Sequence, residues 1–229
     1  MQTADFCREI ETYLCRKNDG HLIRVTGPSF DLVAGWAAQG IPLKVAFKGI
    51  DRYFERYYRN GPRRRPVKID FCEADVLDVF DQWRRATGLA RHSDDAGSRL
   101  RRESLPAHLE RAVMRLSEAR AAGAIDESFD PLIDRVSREL DLVRAKPGGL
   151  RGDERSAAIA RLADIDAELL RAARTSVDEP SLAAMRREAD EELAPFRAAM
   201  SAEALARAHE GALDRLVRER FGLPTIAFA

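Results

Sequence analysis

The 229-residue chain has few of the features that mark membrane, secreted or disulfide-bonded proteins. Its three cysteines are too few, and odd in number, for a disulfide framework, which predicts free thiols in a reducing cytoplasm. No apolar run approaches the roughly 18 residues that a membrane span needs. The first residues, MQTADFCREIE, lack the basic and apolar regions of a signal peptide. These absences predict a cytoplasmic protein with no membrane partner.

Recognisable patterns for catalysis and metal binding are also missing. The three cysteines and His21 have none of the spacings of common zinc sites. There is no G-x-S-x-G element. The turns at Gly27-Pro28 and at residues 146–149 lack the strand, spacing and lysine of a phosphate-binding loop. We therefore predict a protein that is not an enzyme and uses no metal or other cofactor; a small-molecule enzyme is the most remote alternative.

Aromatic residues are scarce, at 7%, and unevenly placed. Residues 1–83 hold both tryptophans and all four tyrosines. The chain has no net charge, yet residues 1–90 carry 15 basic and 12 acidic side chains, a net of +3, so the remainder carries −3. This change of composition along the chain predicts two parts, a basic one followed by an acidic one.

Apolar residues recur every three to four positions through most of the chain, which predicts an all-α protein. We predict a compact helical domain over residues 1–86, with Ser29 as a helix cap and residues 21–25 as a short strand or an extended arm. Residues 87–103 lack periodicity and are predicted to be a linker. Residues 104–229 are predicted to form a helical bundle or a coiled-coil-like arm through which the protein could form a homo-oligomer. The predicted helices cover residues 5–16, 30–38, 41–59, 71–85, 104–122, 131–143, 153–174, 181–200 and 201–221. Pro195 is expected to kink or end the helix over residues 181–200.

Positive charge is concentrated in the segment Leu43–Lys68, LKVAFKGIDRYFERYYRNGPRRRPVK, which has nine basic, two acidic and five aromatic residues. Basic residues four positions apart share one flank of a helix. If they are open to solvent, a nucleic-acid backbone would neutralise them with release of counterions, and tyrosines could stack on unpaired bases. The candidate nucleic-acid-binding residues are Lys44, Lys48, Arg52, Arg56, Arg59, Arg63, Arg64, Arg65, Lys68, Tyr53, Tyr57 and Tyr58.

Other interpretations of this segment remain open. In one, the charged face is simply solvated, with residues 63–65 as a hinge. In the others, the cations dock on the acidic C-terminal half, on an acidic partner protein, or on the acidic, exposed face of the helix over residues 71–85. That face carries Glu73, Asp75, Asp78 and Asp81.

Residues 27–86 resemble the helical DnaD-type domain of bacterial primosome and replication-initiation proteins. The resemblance rests on a Pro/Ser turn followed by a helix with an inward Trp, an apolar helix, and a last helix with the pattern Tyr-x-x-x-Ile-x-x-x-Trp. In this chain the Tyr position of that pattern is Asp75. The other matching residues are Ser29, Val33, Trp36, Ile41, Val45, Ile50, Val79 and Trp83, followed by Arg84 and Arg85.

The resemblance implies nucleic-acid handling and self-association. With the basic segment, it leads us to predict a non-enzymatic nucleic-acid-binding accessory protein of bacterial DNA replication or chromosome transactions. The alternative is a helical adaptor or scaffold that binds only protein partners.

Overall fold

The computed structural model describes residues 2–59, 61, 66–89, 104–123, 125, 129–145 and 150–228. Within these ranges the chain forms nine α-helices and no β-strand, which confirms the all-α prediction. Short 3₁₀ helices cover Ile69–Cys72 and Arg197–Ala199. The α-helices are α1 (Thr3–Lys17), α2 (Pro28–Ala38), α3 (Leu43–Tyr58), α4 (Glu73–Ala86), α5 (Leu105–Ala121), α6 (Asp130–Arg144), α7 (Gly152–Ser176), α8 (Glu179–Leu193) and α9 (Ala202–Phe221).

The start of α2 differs from the sequence prediction. Its N-cap is Gly27 rather than Ser29, with φ 58° and ψ −133°, a backbone conformation that favours glycine. Pro28 occupies the first helical position, where its missing N–H is not needed. The Ser29 hydroxyl donates instead to the Asp70 carboxylate at 3.0 Å, so it ties α2 to the 3₁₀ helix before α4. Residues 21–26 have no regular structure, so a strand there is wrong.

The chain divides into two compact units. The N-terminal unit comprises Met1–Ala90 and Glu192–Ala208, and the C-terminal unit comprises Arg91–Glu191 and His209–Ala229. The N-terminal unit thus includes a segment that the sequence analysis assigned to residues 104–229. Most of the predicted linker, residues 90–103, lies outside the described residues. None of the helices in the described ranges is long and apolar enough to cross a membrane.

The N-terminal unit is built around α1 to α4. Phe6, Ile10, Leu14, Trp36 and Ile50 are at most 2% exposed and form the centre of its core. These apolar residues recur along α1 at three- to four-residue spacing, which is why one face of that helix can be buried.

Helices α3 and α4 approach most closely at a glycine. A Cβ placed on Gly49 would lie 2.7 Å from Val76 Cγ2 and 2.8 Å from the Val76 backbone nitrogen. Only a residue without a side chain fits there, and this close approach brings the polar flanks of both helices into hydrogen-bonding range.

Residues 192–208 extend the core of the N-terminal unit. The Trp83 indole N–H donates to the buried Glu192 carboxylate at 2.9 Å. The Phe196 ring lies 5.5 Å from the Trp83 ring, and Leu193 is fully buried. Helix α8 ends at Leu193, two residues before Pro195, as a proline at that position predicts.

The C-terminal unit has a separate aliphatic core formed by α5, α6, α7 and the part of α9 from residue 209. Leu109, Leu116, Leu140, Leu162 and Leu169 are at most 1% exposed. They fall on one face each of α5, α6 and α7, and these faces pack into the core of the unit.

The chain after α9 is fixed to the C-terminal unit by a buried ion pair. The Asp166 carboxylate accepts from Arg218 at 2.7 Å and from the backbone N–H of Ile226 at 2.6 Å. Arg218 also donates to the Pro224 carbonyl at 2.8 Å. These bonds satisfy groups that would be costly to bury unpaired.

Candidate nucleic-acid interface

Helix α3 carries most of the predicted interface and presents two contrasting sides. Its buried residues are Val45, Ala46, Gly49, Ile50 and Phe54, which fall on one face at helical spacing. Pro42 is the N-cap residue, and the helix begins directly after it because the fixed φ of proline is compatible with the start of a helix. The basic residues project from the flanks of this buried face.

Two of the predicted cations are paired with carboxylates of α4. Arg56 Nη2 lies 2.6 Å from Asp75 Oδ2, and Arg52 Nε lies 3.7 Å from Asp75 Oδ1. Arg52 also donates to the Asp78 carboxylate. The expectation that these cations are fully open to solvent is therefore wrong for Arg52 and Arg56, and one of the other interpretations, docking on the acidic face of α4, applies to them.

The placement of Asp75 is also a correction. It was predicted to lie on the exposed face of α4, but its side chain is only 8% exposed. The close packing of α3 on α4 at Gly49 covers it, and the two guanidinium groups supply the compensating charge. The arginine side chains themselves remain 48% and 65% exposed, for Arg52 and Arg56 respectively, so part of each guanidinium still faces solvent.

One of the two acidic residues of the basic segment, Asp51, contacts α1. Asp51 accepts from the Tyr13 hydroxyl at 2.7 Å and pairs with Lys17 Nζ at 2.6 Å. The Tyr13 ring stacks on Phe47 with centroids 4.0 Å apart. Burial and the neighbouring Asp51 raise the pKa of Tyr13 above its ordinary value. Sequence reasoning missed Tyr13 and Lys17 because nothing in the local pattern indicates that α1 packs against this flank.

The other predicted cations differ from Arg52 and Arg56 in their exposure and in their ion pairing. Lys44 and Lys48 are exposed on α3. Arg59, at the C-cap of α3, and Lys68, before the 3₁₀ helix, are exposed and make no ion pair with any residue in the described ranges. Residues 63–65, the three consecutive arginines, lie outside the described residues.

Three aromatic rings form a row at the C-terminal end of α3. The Tyr53 ring lies 5.6 Å from Tyr57 and 6.4 Å from Phe71, with interplanar angles of 22° and 13°. We call Tyr53, Tyr57 and Phe71 the aromatic row. Tyr58 meets the Tyr57 ring edge-on at 5.2 Å. The predicted tyrosines are thus brought together, with a phenylalanine that sequence reasoning did not select.

The aromatic row lies beside basic side chains. The Arg56 guanidinium carbon lies 5.4 Å from the centre of the Tyr53 ring, within cation–π range. Burial raises the pKa of Tyr53, so its hydroxyl stays protonated. Phe71 is 58% exposed, an unusually large exposure for a phenylalanine. The row therefore combines an accessible apolar surface with adjacent positive charge.

The buried side chain of Asn18 holds the chain in place at Val67, directly before Lys68. Asn18 accepts from the Val67 N–H at 2.7 Å and donates to the Val67 carbonyl at 3.1 Å and the Leu14 carbonyl at 2.9 Å. Asn18 is 3% exposed, so these bonds satisfy an otherwise costly buried amide. Lys68 follows directly and is held next to the 3₁₀ helix that carries Phe71.

Burial suppresses the reactivity of two of the three cysteines, Cys7 and Cys72, by raising the pKa of each thiol. Cys7 and Cys72 are buried, and all three cysteines are free. Burial raises the pKa of the Cys72 thiol to about 12. In the part of the chain that the structure describes, no cluster of His, Cys, Asp and Glu has a geometry that could hold a metal ion.

Comparison of the chain with protein-family models, curated proteins and solved structures gives no match. The resemblance of residues 27–86 to the DnaD-type domain therefore stays a prediction.

Proposed function

We propose that the N-terminal unit binds single-stranded nucleic acid through the aromatic row and the cations beside it. The observation that carries this proposal is the row of near-parallel, partly exposed rings of Tyr53, Tyr57 and Phe71 next to Arg56. Aromatic side chains stack on unpaired bases of any sequence, while adjacent cations contact the phosphates. Paired bases in a duplex offer no such faces, which favours single strands over double strands.

The phosphate contacts are expected mainly from cations that have no carboxylate partner. Arg59 and Lys68 flank the segment between α3 and the 3₁₀ helix and make no ion pair within the described ranges. Residues 63–65 of the sequence add three positive charges to this segment. Arg52 and Arg56 retain exposed donors but are largely neutralised by Asp75 and Asp78. Their contribution to counterion release is therefore smaller than the sequence suggested.

The same proposal extends to the role of the protein in the cell. An accessory role in bacterial DNA replication or chromosome transactions is supported only by the DnaD-type resemblance. Self-association through residues 104–229 is likewise a prediction from helix composition.

A helical adaptor that binds only proteins is the second candidate. The pairing of Arg52 and Arg56 with α4 favours it, because internal neutralisation lowers the attraction for a polyanion. Exposed Phe71 and Tyr58 would then anchor a partner protein, since aromatic residues are enriched in such interfaces.

Fluorescence anisotropy with labelled single-stranded DNA, single-stranded RNA and duplex DNA, repeated over a range of salt concentrations, tests the proposal. We expect binding to single strands whose logarithmic affinity falls linearly with the logarithm of salt concentration. Replacing both Arg59 and Lys68 with Ala should reduce that slope by about 1.4, at roughly 0.7 per phosphate contact on a single strand. Phe71→Ala should weaken binding by about 1–3 kcal/mol and leave the slope unchanged.

Two control variants match these changes. Arg24→Ala removes an exposed arginine of the same unit that lies outside α3 and the turn after it. Leu22→Ala removes an apolar side chain that is 76% exposed but has no aromatic face. Both should bind like the unchanged protein. Absence of binding to single strands at low salt would refute the proposal and leave the adaptor as the better candidate.

A further inference from the structure

The exposed end of the aromatic row lies next to an exposed carboxylate. Asp70 directly precedes Phe71 in the 3₁₀ helix, and both side chains are exposed. Consecutive Cα atoms are about 3.8 Å apart, so the edge of a base stacked on the Phe71 ring is within reach of this carboxylate. A strand bound at the row would therefore meet a negative charge as well as positive ones.

The Asp70 carboxylate is held by the start of α2. The Ser29 hydroxyl donates to it at 3.0 Å, and Ser29 is directly followed by Phe30, which is 41% exposed. One hydrogen bond therefore fixes the carboxylate between two chain segments that each continue into an exposed phenylalanine. A hydroxyl donates a single proton, whereas a carboxylate has about four acceptor sites, so most of its acceptor capacity remains.

The charge of Asp70 limits what it can attract. The residue makes no ion pair within the described ranges. A carboxylate beside a nucleic-acid site repels phosphate, and this repulsion is the same for every base sequence. Its attraction is restricted to groups that donate hydrogen bonds to it, and on a single strand these are the N–H groups of the bases.

Guanine presents the donors that fit a carboxylate. Its Watson–Crick edge carries two adjacent donors, N1–H and N2–H, which match the two carboxylate oxygens. The same edge of adenine or cytosine has one amino group next to a ring-nitrogen acceptor, and that of thymine or uracil has one N–H between two carbonyl oxygens. A carboxylate that faces those acceptors is repelled by them. We propose that Asp70 is a specificity-determining residue that gives the single-strand site a preference for guanine.

This inference rests on the proposed function, because it assigns a base preference to the same site. A bidentate contact with the right base discriminates against a wrong one by roughly five- to a hundredfold. The Asp70 side chain is exposed, so water competes for the contact. We therefore expect the lower end of that range, about five- to tenfold.

Fluorescence anisotropy of the full chain, with short thymidine strands that differ only at one central base, tests the preference. The central base is guanine, adenine, cytosine or hypoxanthine, and a strand of thymine alone sets the baseline. We expect the guanine strand to bind about five- to tenfold more tightly than the adenine, cytosine and thymine strands. Hypoxanthine lacks the 2-amino group and offers only N1–H, so its strand should lie between those of guanine and adenine.

Two variants separate the carboxylate from its surroundings. Asp70→Ala should reduce the preference for guanine over adenine to less than about twofold, because the acceptor is gone. Both strands are compared on the same variant, so a change in its stability cancels from the ratio. Asp31→Ala is the matched control, since it removes an exposed carboxylate of α2 that does not adjoin Phe71 in the chain. It should keep the full preference.

The outcomes distinguish this inference from the proposed function. Equal affinity of the unchanged chain for the guanine and adenine strands would overturn the inference and leave the proposed function intact. A guanine preference that Asp70→Ala retains as fully as Asp31→Ala would do the same. No binding of any strand at low salt would refute the proposed function itself, and this inference with it.

Discussion

Asp75→Asn separates the structural contribution of the α3–α4 ion pairs from the functional one. The substitution keeps the shape of the side chain but removes the negative charge that Arg52 and Arg56 share. Asp75 is 8% exposed and accepts from Arg56 at 2.6 Å, so the interaction it loses is partly shielded from water. The same change leaves the Arg56 guanidinium without its carboxylate partner, while Arg52 keeps its pair with Asp78.

The expected loss of stability follows from these contacts. A hydrogen bond to a charged group contributes about 1.5–3 kcal/mol when it is well shielded. The Arg52 contact is long, at 3.7 Å, and both arginine side chains regain water easily because they are about half exposed. We therefore expect Asp75→Asn to lower the free energy of unfolding of the N-terminal unit by about 1–3 kcal/mol.

Urea unfolding followed by tryptophan fluorescence measures this directly. Both tryptophans, Trp36 and Trp83, are buried in the N-terminal unit, so the signal reports that unit alone. Glu73→Gln is the control, because Glu73 is an exposed carboxylate on the same helix. Its effect should be within about 0.5 kcal/mol, as is usual for exposed positions. Equal midpoints for the two variants would refute the energetic role assigned to the Asp75 pairs.

The same variant has an opposite effect on the proposed function. Arg56, which loses its carboxylate partner, should bind single strands more tightly and steepen the salt dependence by about 0.7 in logarithmic slope, whereas Arg52 keeps its pair with Asp78. A variant that is less stable but binds better would support both conclusions. An unchanged slope with binding intact would show that Arg56 does not contact phosphate.

Two further predictions concern the core of the N-terminal unit. Gly49→Ala should destabilise the N-terminal unit by about 1–3 kcal/mol or more, because the new Cβ meets the Val76 backbone. Gly35→Ala should be neutral or stabilising, because nothing lies within 4 Å of its new Cβ. Equal unfolding midpoints for the two variants, monitored by tryptophan fluorescence, would contradict this prediction. The pKa of Cys72 is raised from 9.0 to about 12 in the folded chain, so its contribution to stability is complete below pH 9 and is lost as pH rises towards 12. Cys72→Ala should therefore lose less stability between pH 9 and pH 11 than the unchanged chain, and identical pH profiles would count against the assignment.

The elements that periodicity predicts are the ones the structure contains. Helix α3 was predicted over residues 41–59 and is found over Leu43–Tyr58. Helix α9 was expected over residues 201–221 and is found over Ala202–Phe221. Apolar spacing of three to four residues is a local property, so it is fully present in the sequence.

At the candidate interface, the local sequence pattern predicts some of the residues but not their contacts with other elements. The basic stripe and the tyrosines of α3 were selected from spacing, but Phe71 joins Tyr53 from a different element 18 positions away. The neutralisation of Arg56 by Asp75 likewise depends on how α3 and α4 are set against each other. The spacing along a helix does not report which neighbour covers which flank.

By itself the sequence determined that the chain is helical, where most of the helices begin and end to within a few residues, and which stretch concentrates cations and aromatic rings. Helix α8 is the exception, since it ends at Leu193 and not at residue 200. Only the tertiary structure decided that Gly49 lets α4 approach α3, that Asp75 becomes buried between two arginines, and that residues 192–208 join the N-terminal unit. The reason is physical. Helix formation depends on residues within one or two turns, whereas the pairing of a charge depends on packing between segments that are distant in the chain.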